Sequence, residues 1–172
     1  MNLPLLYVSA DQINAVVPIG LDSGVGATVR VINGTSVSPA FPVWIVPSAP
    51  QAFPTVLNQD GTINSKTNPA KGGSTITFYA TGWPSNFSGL GDGQIVTNAQ
   101  DSCGGNCQVS ATSNVYSPTA TVTYGGIAPG IVAGVSQFNV KIGAIPTLYG
   151  TFQFNFLLIG PGSLTQSVWV AP

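Results

Sequence analysis

Two cysteines, five aspartates and one asparagine-rich turn are the residues whose type and spacing bear on chemistry. Cys103 and Cys107 lie in Asp101-Ser-Cys-Gly-Gly-Asn-Cys107. A Cys-x3-Cys pair across a Gly-Gly-Asn turn can close as a local disulfide or remain as two thiols, and we read Cys103 and Cys107 as a disulfide. A zinc site needs about four ligands, and the chain has no His and no third Cys to supply them. The run Asn58-Gln-Asp60-Gly61-Thr-Ile-Asn64 spaces oxygen atoms as a hard cation requires. It offers one carboxylate and lacks a later bidentate acid. Asp-Gly between apolar residues is also a tight-turn signal, and we read it as a turn. No metal and no cofactor is expected.

Acid–base chemistry has little to work with. Asp92 and Asp101 share a loop region, so a glycosidase-like carboxyl pair is the one such constellation available. All five acids nevertheless sit in turn-like contexts. Ser65-Lys66 is an adjacent pair in a loop without an oxyanion setting. The chain contains neither His nor Glu, which removes the Ser-His-Asp triad, the Cys-His dyad and the HExxH zinc site. Four Lys and Arg residues make no phosphate-neutralising footprint, so no nucleic-acid partner is expected. No apolar run reaches the roughly 18 residues of a membrane-spanning helix, and no membrane insertion is expected.

A binding site is easier to place. Trp83-Pro-Ser-Asn86-Phe87-Ser-Gly-Leu-Gly-Asp92 sets two aromatics in a segment of Gly, Pro, Ser and Asn. An exposed indole stacks on the apolar face of a sugar ring, and Asn86, Asp92 and Asn98 are suited to bond its hydroxyls. The competing reading is that Trp83 and Phe87 cap one end of a β-sandwich. Segment 82–107 is where a grafted function is expected. Asn33-Gly-Thr35 and Asn86-Phe-Ser88 match glycosylation acceptors and are treated as chance.

The elements that must carry these residues are strands. Helix formers are scarce, and no stretch keeps a 3.6-residue apolar stripe. Strand signals recur every 8–15 residues between Gly, Pro, Asn and Ser: 5–8, 13–18, 28–32, 41–46, 75–81, 108–112, 120–125, 131–132, 136–142, 150–159 and 166–170. Phe152, Phe154 and Phe156 alternate with Gln153 and Asn155, so the three rings face a core. With 44% apolar residues and 5% charged ones, the 172-residue chain has material for a buried core.

An internal repeat organises the pattern. Gln12-Ile-Asn-Ala-Val16 resembles Gln137-Phe-Asn-Val-Lys141, and Val43-Trp44-Ile-Val-Pro47 resembles Val168-Trp169-Val-Ala-Pro172. Both matches are 125 residues apart with no gap. Residues 48–172 therefore read as one complete repeat. Residues 1–47 read as the C-terminal strands of an incomplete one, and Met1 as an imposed start. Segment 48–54 is expected to be an extended linker because of its prolines. Trp44 and Trp169, equivalent in the two repeats, are expected to pack. A few strands with one apolar face cannot bury that face alone.

Six segments also carry a family likeness. Leu3 to Ser9 with Gln12 to Pro18, Val56 to Asn64, Asn68-Pro-Ala70, Phe78 to Gly82 and Gly126 to Gly130 resemble the acidobacterial C-terminal domain family of secreted proteins. The resemblance spans nearly the whole chain. It implies an immunoglobulin-like β-sandwich at the end of a large exported protein, and it brings no catalytic residues. The chain departs from the family pattern after Gly82, where the Trp83 segment and the cysteine loop stand.

The expected function is a non-catalytic extracellular or cell-surface module for display, adhesion or self-assembly. It would pair strands with another copy or with neighbouring repeats. One alternative is a carbohydrate-binding module that meets polysaccharide through the 82–107 loop. Another is a hydrolase of unrecognised type working without His or Glu.

Overall fold

Alternation of apolar and polar residues decides which face of each strand is buried, and the decision is sharpest late in the chain. The computed structural model describes every residue except Asn86 and Ser88. It is all-β. In chain order the first strands are β1 (Leu5–Val8), β2 (Ile13–Ala15), β3 (Val25–Val29), β4 (Ile32–Asn33), β5 (Ser36–Val37) and β6 (Phe41–Ile45). Then come β7 (Gln51–Leu57), β8 (Ala70–Lys71), β9 (Thr75–Thr81), β10 (Gln100–Asp101) and β11 (Gln108–Thr112). The last are β12 (Ala120–Ile127), β13 (Val135–Ile142), β14 (Phe152–Ile159) and β15 (Ser163–Ala171). A short 3-10 turn, Thr147–Tyr149, precedes β14.

Two sheets form a sandwich from residue 51 onward. One has the order β10-β12-β13-β9-β7, the other β11-β14-β15-β8. Neighbours are antiparallel except β15 and β8. Phe152, Phe154, Phe156 and Leu158 are buried, and the residues between them are exposed. Phe78 of β9 stacks on Phe138 of β13 at 5.2 Å and reaches Phe156 of the other sheet at 5.4 Å. Burying each such ring contributes about 1.5–3 kcal/mol. At one end, Tyr116 stacks on Tyr149 at 4.7 Å beside Phe152. Among the described residues no helix is long and apolar enough to cross a membrane.

The first 47 residues form three small hairpins, β1–β2, β3–β6 and β4–β5. None of them joins the two large sheets. Their attachment is narrow. Val16 is buried with Ala128, Val132 and Val135, and its N–H donates to the Pro4 carbonyl at 2.9 Å. β2 ends at Ala15, three residues before the expected end.

Several boundaries differ from expectation for local reasons. Segment 48–54 is not simply a linker, because β7 begins at Gln51 and pairs with β9. Its ladder breaks between Ala52 and Val56. Pro54 lies in that gap, where its missing N–H interrupts nothing. Ile131 and Val132 form no strand of their own, and Val132 makes an isolated bridge to Ile95. β3 starts at Val25, directly after a turn through Gly24 at φ 79°.

The core makes a direct prediction. Phe156→Ala should lower unfolding free energy by about 3–5 kcal/mol. Phe53→Ala, at an exposed ring, should change it by no more than about 0.5 kcal/mol. Urea titration followed by circular dichroism measures both.

Candidate functional site

The chain leaves β9 through Gly82, whose backbone lies at φ 67° and so close to the Ala49 carbonyl that no side chain fits. That turn drives Trp83 inward. Its side chain is 3% exposed and meets Phe138 edge-on at 4.8 Å. Cys103 and Cys107 form a disulfide, and their Cα atoms are 5.0 Å apart. A side chain at Gly125 of β12 would overlap the Cys103 sulfur. One at Gly160, in the β14–β15 turn, would come within 2.5 Å of Cys107 Sγ and 3.2 Å of the Trp83 ring. Two glycines thus open a slot between the sheets, and the disulfide fills it with Trp83 alongside. The bridge closes the end of the sandwich opposite Tyr149.

The residues expected to form a sugar platform are dispersed. The buried Trp83 presents no stacking face, which corrects that expectation. Phe87 is half-buried, packed with Leu90 against Val96, Ile127 and Ala133. Asp92 accepts the Ile19 N–H at 2.8 Å and so ties the N-terminal segment down. Asn98 is exposed. Asn86 lies outside the described residues. Asp101 accepts the N–H groups of Cys103 at 2.9 Å and Gly125 at 3.3 Å. Asp92 and Asp101 therefore serve backbone groups on different elements. Among the described residues no three His, Cys, Asp or Glu side chains gather.

The 58–64 segment forms a turn, with Gly61 at φ 81° and its N–H donating to the Asn58 carbonyl at 2.9 Å. Asp60 accepts from the Thr62 hydroxyl and N–H, which holds its carboxyl below the usual range. The asparagines act on the sandwich instead. Asn64 Nδ2 donates to the Trp169 carbonyl at 2.8 Å, and Asn64 Oδ1 accepts the Trp169 N–H at 2.8 Å. One side-chain amide thus satisfies both edge groups of a β15 residue, as a neighbouring strand would. Asn58 steadies it, accepting from Asn64 at 2.9 Å.

The largest feature lies in the N-terminal hairpins. Direct pairs Val25–Ile45, Ala27–Val43 and Val29–Phe41 put six apolar side chains on one face of β3–β6. Phe41 is 69% exposed and Val29 38% exposed. On the other face Trp44 lies outward, its ring 3.6 Å from where a Gly26 Cβ would stand. Trp44 is thus largely exposed, and Trp169 also points away from the core, on the parity opposite Val168 and Val170. Most of the large apolar residues that stay exposed belong to the first 47. This concentration is the arrangement most open to a partner.

No family model, curated protein or solved structure matches the chain.

Two predictions follow from these contacts. Asn64→Ala orphans two backbone groups of Trp169 and should cost about 1–3 kcal/mol, read as a lowered urea midpoint. Tyr124 donates its hydroxyl to the Ile127 carbonyl and lies 3.3 Å from the Gln100 carbonyl. Burial pushes its phenol above 10.0, with the Asp101 carboxylate adding to the shift. The folded state then holds this proton more tightly than the unfolded chain. Stability should fall as pH rises past about 10, and Tyr124→Phe should flatten that fall in alkaline melts.

Proposed function

We propose that the chain is a non-catalytic, extracellular β-sandwich module of immunoglobulin-like type that assembles by pairing strands between chains. In this reading residues 48–172 are one complete repeat, and residues 1–47 are the last strands of another repeat finished by a second copy. The open apolar face of β3–β6 carries the proposal. Water-exposed Val25, Val29 and Phe41 on one sheet face lose free energy only when another surface covers them.

The repeat reading has support in the pairing. β3 with β6, and β14 with β15, are antiparallel pairs 125 residues apart. Their registers differ by two residues, which leaves the same positions on the same face. Ala27, Val29, Val43 and Ile45 stand where Phe152, Phe154, Val168 and Val170 are buried. The disulfide supports an oxidising compartment. The resemblance to the acidobacterial secreted family points the same way.

Light scattering on a sizing column tests the assembly. The mass should exceed 17.6 kDa and rise with concentration. Phe41→Asp, which sets a carboxylate in the contact, should weaken association at least about tenfold. A mass that stays at one chain across all concentrations would overturn the proposal.

A further inference from the structure

A groove of about 600 Å³ runs along one open side of the sandwich, between β15 and β7. Neither edge is closed there. β15 meets β8 only at Val170 and Ala171. The edge groups of Trp169 are held by Asn64. Two and four residues back, the backbone groups of Ser167 and Thr165 point the same way, with no strand beside them among the described residues. Opposite, β7 breaks its ladder around Pro54, which has no N–H to give.

The lining is uncharged throughout. Gln51, Gln153 and Gln166 supply amides, Thr165 and Ser167 hydroxyls, and Trp169 an indole wall. Lys66 lies over one face of the Trp169 ring, its Nζ 5.8 Å from the ring centre, which leaves the other face to a ligand. Gln166 is the anomaly. It occupies an inward position between buried Leu164 and Val168 and is only 7% exposed. Its one hydrogen bond among the described residues runs from Nε2 to the Pro54 carbonyl at a long 3.5 Å. Its Oε1 has no protein partner there and is not fully buried, so it is open to water or a ligand on the groove side.

We infer that this groove binds a neutral saccharide chain. Sugar rings combine an apolar face, which suits the Trp169 indole, with neighbouring hydroxyls, which suit amides that donate and accept. An anion finds a single cation, Lys66, and that one lies over the Trp169 ring. An added peptide strand finds only three outward edge residues of β15, at 163, 165 and 167, before Asn64 blocks the way, and a proline facing it. The inference goes beyond assembly, because every residue it uses lies within 51–169, away from the β3–β6 face.

Calorimetric titration of the full chain with neutral hexasaccharides of β-glucan, mannan, xylan, chitin and α-glucan tests it. At least one should bind with a dissociation constant of about 1 mM or tighter. Trp169→Ala and Gln166→Leu should each weaken that binding at least tenfold, and Trp44→Ala should leave it unchanged. Gln153→Ala, an exposed change that leaves the core intact, should weaken it several-fold and stands in if either of those variants misfolds. Binding to none of the five would overturn the inference. So would unchanged binding in Trp169→Ala and Gln153→Ala. Binding of a synthetic alternating Val-Thr strand peptide in place of every sugar would do so too, making the groove a strand acceptor.

Discussion

The contact of Phe78 and Phe138 on one sheet with Phe156 on the other is the interaction around which the domain closes. With 5% charged residues, the two sheets are held by apolar packing, and Ile76, Val140, Ile142, Leu158 and Val168 are buried around these rings. Ion pairs contribute little in so sparsely charged a chain. Polar groups at the edges are met by amides and hydroxyls, as where Asn64 bonds both backbone groups of Trp169. The disulfide and Trp83 seal one end of the same seam, in space left by Gly125 and Gly160. Tyr116 and Tyr149 seal the other.

That constraint also explains the N-terminal segment. Strands whose apolar face meets the seam are buried, and strands that cannot reach it are left open. β14 and β15 reach it; β3 and β6 do not. Val16, together with the Ile19–Asp92 bond, is enough to tether the segment and too little to cover it. The same chain therefore carries a buried sandwich core and an exposed apolar sheet face.

Much of this was legible in the residues. The Phe152–Phe156 alternation, the cysteine loop and the Asp60-Gly61 turn each depend on neighbours in sequence, and each stands as read. What was missed depends on residues far apart. β7 was hidden because Pro54 argues against a strand unless a bulge accepts it. β8 and β10, of two residues each, have no periodicity to detect. Trp83 sits in loop-like sequence, and its burial depends on distant residues, Phe138 of β13 and the space left by Gly160 in the β14–β15 turn. The outward setting of Trp169 did have a signal, since Val168 and Val170 flank it on the opposite parity. The groove residue Gln166 had one too, as a polar residue in an apolar position.

Assembly by strand pairing requires that the β3–β6 face be covered between chains. Hydrogen exchange resolved by residue, measured over a hundredfold range of protein concentration, reads that cover directly. Amides of 25–29 and 41–45 should become strongly protected as concentration rises, while those of 152–159 are protected throughout. Fast exchange of 25–29 and 41–45 at every concentration, beside a fully protected sandwich, would contradict it.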